Sequence, residues 1–183
     1  MRLRRVAVSL AGAAVAVTVG IVGTVGLASC SGGGGKHDPY IPVGKRHAAP
    51  VLKGTDLDGK RVDLVTTHGR ITVVNFWASW CAPCRAESTA LRSVALASPG
   101  TAFLGVDGDT SETNARSFAR DHRMPYPSVY DGLHDVATAW IVAEYPQTFV
   151  VDASGKVAAR FFGGVTEPEL TQMIHRVAAS STS

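Results

Sequence analysis

The sequence predicts an α/β layered domain, and three observations carry that prediction. From residue 49 onward strand-like and helix-like segments alternate along the chain, the order found in layered α/β folds. The segment Ile71-Thr72-Val73-Val74-Asn75-Phe76-Trp77 is β-branched, aromatic and nearly unbroken in apolar character, as suits a strand buried on both faces. A helix over about residues 82–97 follows it directly, so strand and helix meet at one short loop.

Taken in order, residues 52–64 hold Asp58-Gly59, a favoured tight-turn pair, between two short runs, and predict a β-hairpin ahead of the central strand. The helix after that strand opens with Pro83 in its first turn, where a missing N–H removes no hydrogen bond. Ser98-Pro99-Gly100 ends it. Residues 101–106 read as a second central strand, 111–122 as a helix, 128–130 as a short strand behind Pro125 and Pro127, and 133–142 as a further helix. Two strands, 147–151 and 156–162, are joined by Asp152-Ala153-Ser154-Gly155. The last helix, 167–179, carries Leu170, Ile174 and Val177 at spacings of four and three, and residues 180–183 should fray. No internal repeat interrupts this order.

At 183 residues and 45% hydrophobic content the chain suits one packed domain with extensions. Its formal charge of +3 resides at one end: Arg2, Arg4 and Arg5 precede any acid, and residues 1–29 contain no Asp or Glu. Setting those three aside from the 18 Lys and Arg leaves 15 against 15 Asp and Glu. A balanced body of this kind supports neither a nucleic-acid footprint nor a polybasic membrane patch.

The same arginines introduce an apolar run over residues 6–28, the charged-then-apolar order of a secretory signal. A run of about 20 apolar residues can also span a bilayer, so an uncleaved anchor is the alternative. Leu27-Ala28-Ser29-Cys30 resembles the lipobox of bacterial lipoproteins, which implies that Cys30 becomes the acylated first residue of the mature chain. Both readings place the remainder outside the cytoplasm beside a membrane, since the Arg cluster marks the inner side. Residues 1–29 are therefore expected to be a signal peptide, 30–49 a lipidated, flexible spacer without hydrophobic period, and 50–180 the domain.

With Cys30 assigned to the lipid, two cysteines remain as the pair Cys81-Ala82-Pro83-Cys84. They sit between a buried strand and a helix start, so Cys81 falls where unpaired amide N–H groups and the helix macrodipole favour a thiolate. A lowered pKa makes that sulfur a nucleophile near neutral pH. Cys84, one turn on, can displace whatever Cys81 captures. Zinc needs four ligands, and neither a second Cys pair nor a closely spaced His pair accompanies this one, so no metal is expected. An inert structural bridge is the other alternative, disfavoured because closing so short a loop restrains the unfolded chain little.

Over Phe76-Trp77-Ala78-Ser79-Trp80-Cys81-Ala82-Pro83-Cys84-Arg85-Ala86-Glu87 the sequence resembles the thioredoxin superfamily, and within it the membrane-tethered TlpA/ResA-like branch of redoxin, AhpC/TSA-like domains. Tyr145-Pro146-Gln147-Thr148-Phe149-Val150-Val151-Asp152 is similar to the family's cis-proline loop and following strand. Together the similarity covers about residues 50–179. It implies a thioredoxin fold: a central mixed β-sheet flanked by helices, with an N-terminal β-hairpin extension and an α-β insertion. It further implies a redox disulfide between Cys81, the nucleophile, and Cys84, the resolving residue, flanked by Trp80 and Pro83. Pro146 is expected in a cis peptide facing the cysteines, with Tyr145 offering backbone groups to a bound substrate chain. Glu87 matches an acidic position thought to modulate the cysteine titrations; its other reading is an ordinary acid of a first helical turn.

Three departures from the family pattern matter. Asn75 stands where cytoplasmic thioredoxins carry a buried acid, which makes Glu87 the nearest replacement. Thr89 occupies the place of a helix-kinking proline, so a straighter helix is expected. Trp140-Ile141-Val142-Ala143-Glu144 lacks the glycines that usually precede the cis-proline loop.

The resulting expectation is a cofactor-independent thiol:disulfide oxidoreductase. It would act on exported proteins bearing thiols or disulfides and exchange electrons with a membrane thiol:disulfide donor or acceptor. A reductant role such as cytochrome c maturation is favoured over an oxidant of secreted proteins. A copper carrier using both sulfurs is the reading from another class, weakened because His122, His134 and His175 show no ligand spacing. A thiol peroxidase fits the Ser79-Trp80-Cys81 sequence less well.

Overall fold

Burial on both faces explains the central strand. In the computed structural model, which describes residues 38–180, β3 (Thr72–Trp77) is buried at every position. Val74 and Phe76 pack into one core with Leu104, Val129, Trp140 and Phe149, whereas Val73 packs into the other with Leu91, Val94, Leu170 and Val177. With no face left for water, the strand has no polar alternation to show.

Around β3 the elements follow the expected order: β1 (Lys53–Thr55), β2 (Arg61–Asp63), β3, α1 (Ala82–Ala97), β4 (Ala102–Asp107), α2 (Glu112–Asp121), β5 (Ser128–Tyr130), α3 (Asp135–Ala139), β6 (Gln147–Val151), β7 (Val157–Phe162) and α4 (Glu167–Ser180). Five strands form one mixed sheet in the order β5-β4-β3-β6-β7, with β3, β4 and β5 parallel and β6 and β7 antiparallel to their neighbours. Between β4 and β6 the chain inserts α2, the edge strand β5 and α3. The separate β1-β2 hairpin turns through Gly59 at φ +82°. It docks on the sheet through the N–H of Leu57, which donates to the carbonyl of Ser128 at 2.9 Å. α1 runs unbroken through Thr89.

Two expectations change. The helix expected over 133–142 contracts to α3 because His134 (φ +59°) and Ile141 (φ +56°), both left-handed, bracket it. Asp131 fixes its start by accepting the N–H groups of Val136 and Ala137, and Trp140 beyond its end is spent on packing against Phe76 and Phe149.

The expected flexible spacer does not hold for residues 38–49. They lie along β7: the N–H of Ile41 donates to Ala158, that of Arg160 to Pro39, that of Val157 to His47 and that of Ala49 to Gly155, all at 2.7–2.9 Å. Arg46 is buried and pairs with Asp152 at 3.0 Å, with Tyr40 and Ser180 as further partners. An edge strand leaves a row of backbone groups unpaired. This segment satisfies them through its own backbone, which requires no hydrophobic period and so leaves none to read. The signal peptide, Cys30 and the rest of the spacer lie outside the described residues.

Candidate active site

The loop between β3 and α1 builds the site. Cys81 caps α1: its N–H donates to the carbonyl of Ala78, its own carbonyl accepts from Arg85, and its Sγ accepts the N–H of Cys84 at 3.2 Å. Pro83 occupies the first turn, as expected. Cys81 and Cys84 are joined in a disulfide with Cα atoms 5.2 Å apart. Both are buried, at 3% and 2% exposure, against Leu57, Trp77, Ala78, Ala115 and Phe118. Burial therefore does not tell the two sulfurs apart; the helix end does. Only Cys81 receives a helix N–H, the interaction that favours a thiolate once the pair is reduced.

Residues that no motif indicated hold this loop in place. Asp109 accepts the Ser79 N–H at 2.7 Å and the Ser79 hydroxyl at 2.8 Å, and Arg85 donates to the Ser79 carbonyl at 2.6 Å. Asp109 lies thirty residues from Ser79. Its sequence context, Asp107-Gly108-Asp109 after a buried strand, reads only as a turn.

Opposite the loop, the Tyr145–Pro146 peptide is cis. Gln147, the next residue, faces Phe76 across the sheet, so Pro146 borders the end of β3 from which the cysteine loop departs. Its carbonyl accepts the N–H of Gly163 at 3.0 Å. Trp80, 64% exposed, meets the Tyr145 ring edge-on at 5.8 Å and joins the two loops into one surface. The Tyr145 hydroxyl lies over Gly108, where any Cβ would collide with it, so a side chain there would displace the cis-proline loop. Burial, then the charges of Asp131, Asp107 and Asp109, push the Tyr145 phenol up to about 12.

Glu87 is no ordinary helix acid. It sits three residues after Cys84, on the same side of α1, and is 4% exposed. One carboxyl oxygen accepts the Asn75 side-chain amide at 2.9 Å and the other the Val165 N–H at 2.9 Å. Burial pushes it up to about 7 against the opposing pull of those two hydrogen bonds. The Asn75 departure and the Glu87 match thus form one unit: the amide of Asn75, also bonded to Thr148, orients the acid.

Histidines do not extend the site. His122 bonds to Ser88 and His134 to the carbonyl of Gly108, and His175 lies on the surface of α4. Among the described residues no group of three or more His, Cys, Asp or Glu could hold a metal ion, and no helix is long and apolar enough to cross a membrane.

Comparison with known proteins agrees with this geometry. The AhpC/TSA family model matches residues 46–160. The thiol:disulfide interchange protein HelX of Rhodobacter capsulatus is 33% identical over 144 residues, covering 78% of this chain and 81% of that protein. The thiol-disulfide oxidoreductase ResA of Bacillus cereus is 26% identical over 139 residues, 75% of this chain and 79% of ResA. Among solved structures, a DsbF homologue from Corynebacterium diphtheriae superposes with a TM-score of 0.72 at 31% identity, covering 79% of this chain and 95% of that one. A Cys-x-x-Cys pair at a helix start, a thioredoxin-type sheet and these relatives converge: the chain belongs to the AhpC/TSA family and is a thiol:disulfide oxidoreductase of the ResA/HelX type.

Proposed function

We propose that the protein is an extracytoplasmic reductant of disulfides in exported proteins, with cytochrome c maturation as its setting. The Cys81 thiolate attacks one sulfur of a partner disulfide, forming a mixed disulfide and releasing the partner's other sulfur as a thiolate that takes up a proton. Cys84 then gives up its proton, attacks Sγ of Cys81 and frees the partner as a dithiol, leaving the Cys81–Cys84 disulfide. Glu87 accepts the Cys84 proton. Trp80, Pro83, Tyr145 and Pro146 form the surface on which the partner chain lies. A membrane thiol:disulfide donor returns two electrons and two protons to restart the cycle.

The observation that carries this reading is the pairing of a helix-capping sulfur with a buried acid poised near 7. A general base works best with a pKa near the operating pH. The Ala-Pro spacing between the cysteines supports the reducing direction. Redox titration of the purified Cys81/Cys84 couple tests it, with a midpoint expected toward the reducing end of the roughly −270 to −120 mV range of thioredoxin-fold couples. A value at the oxidising end overturns the reductant role.

The lipobox pattern and the arginine-led apolar run support acylation at Cys30 and export of the domain. Cys30→Ala is expected to abolish metabolic lipid labelling while the domain keeps its exchange activity. Persistent labelling overturns the anchor.

A further inference from the structure

The β4 side of the site holds a group that disulfide exchange does not use. Asp107 ends β4, sits in register with Trp77, and is 0% exposed. One of its oxygens accepts the Asp109 N–H at 3.3 Å; no donor reaches the other, Oδ2. A buried carboxylate with an unmet oxygen is costly, and a proton on that oxygen removes the charge and makes it a donor that needs a neighbouring acceptor. The surroundings supply acids: Asp109 from the same turn and Asp131 from the loop after β5, whose N–H donates to the Asp107 carbonyl at 2.8 Å. Around the turn lie the Tyr145 phenol, against Gly108, and His134, bonded to the Gly108 carbonyl.

We propose that Asp107 and Asp109 share a proton, and that this shared proton fixes Asp109 as the clamp positioning the Ser79-Trp80-Cys81 loop. Burial first, then hydrogen bonding to the Asp109 carboxyl and its charge, push Asp107 up to about 8. Below that pH, Asp107 donates to Asp109, whose oxygens hold the Ser79 N–H and hydroxyl. Above it, two carboxylates repel one another beside a third, and Asp109 is driven off Ser79. The loop then loosens and the helix-end support of the Cys81 thiolate fades. Asp107 touches no reacting atom; it is a positioning residue acting through Asp109.

The inference rests on the oxidoreductase reading of the site, and its test is separable from that reading. In the reduced full-length protein, iodoacetamide alkylation is followed at Cys81 by mass spectrometry from about pH 6 to about pH 10. The rate is expected to rise with the thiolate fraction and then fall through an inflection near 8. In Asp107→Asn the descending limb is expected to vanish, because the amide donates to Asp109 and cannot lose that hydrogen. Coincident profiles overturn the proposal. Carbon-13 NMR of the wild-type carboxyl gives a second readout that needs no variant: a midpoint for Asp107 in the ordinary range near about 4 overturns it. Insulin reduction at neutral pH reports separately on the oxidoreductase reading, since it does not depend on the alkaline limb.

Discussion

Replacing Cys84 with Ser is expected to stall exchange at a mixed disulfide on Cys81 and lower turnover to background. The first step needs only the helix-capping sulfur, which receives the N–H of residue 84 whatever side chain that residue carries. The second step needs a thiolate one turn inward, and a serine hydroxyl cannot supply one near neutral pH. Partners should accumulate as covalent adducts, visible as reductant-sensitive bands on non-reducing gels. Cys81→Ser should trap few, because Cys84 lies inside the helix without an amide directed at its sulfur, whereas the helix N–H is directed at residue 81. Equal trapping by both variants contradicts the assigned order of attack. Affinity capture with Cys84→Ser from whole cells also identifies the partners, and cytochrome maturation factors among them would support the proposed setting.

Glu87→Gln is expected to reduce turnover at neutral pH about 10²-fold, the ordinary contribution of a positioned base. The same substitution should remove the limb of the pH–rate profile centred near 7. A merely structural role would lower the rate without moving that limb, so the profile separates the two. The substitution also bears on stability. Glu87 is raised from 4.5 to about 7, so the native state holds a proton that the unfolded chain has already released across that interval. Stability is therefore lost as pH rises from about 4.5 to about 7, by about 3 kcal/mol from this group. Glutamine carries no charge and removes that loss. It replaces one acceptor oxygen by a donor, but rotating the Asn75 amide restores a matched pair, with Thr148 then donating its hydroxyl instead of accepting. Urea denaturation of both proteins between about pH 5 and about pH 8 measures the difference. Parallel stability curves contradict the buried-acid account.

These expectations rest on features of unequal legibility. The apolar run at 71–77, the turn at Asp58-Gly59 and the Pro83 helix start are local patterns, and each element formed where its pattern lay. Cys81 could be placed at a helix end from the same patterns. Glu87 could be singled out by its match to an acidic position of the ResA-like branch, although that match did not distinguish a buried acid from one on the surface of the first helical turn. Burial by Asn75, Val165 and the sheet decided that.

The cis peptide at Pro146 is what the resemblance to the thioredoxin superfamily implies; by itself, the sequence determined the order of strands and helices and the position of the cysteine pair between a buried strand and a helix. These are encoded by residues close together in the chain, where periodicity, turn chemistry and motif spacing act. Tertiary structure alone decided which distant groups meet them. It set Asp109 on Ser79 across thirty residues, placed Asp107 in a wall of acids, and laid residues 38–49 along β7 through backbone hydrogen bonds. Such contacts depend on strand register and loop closure, and backbone groups or single carboxylates leave no period in the sequence from which to read them.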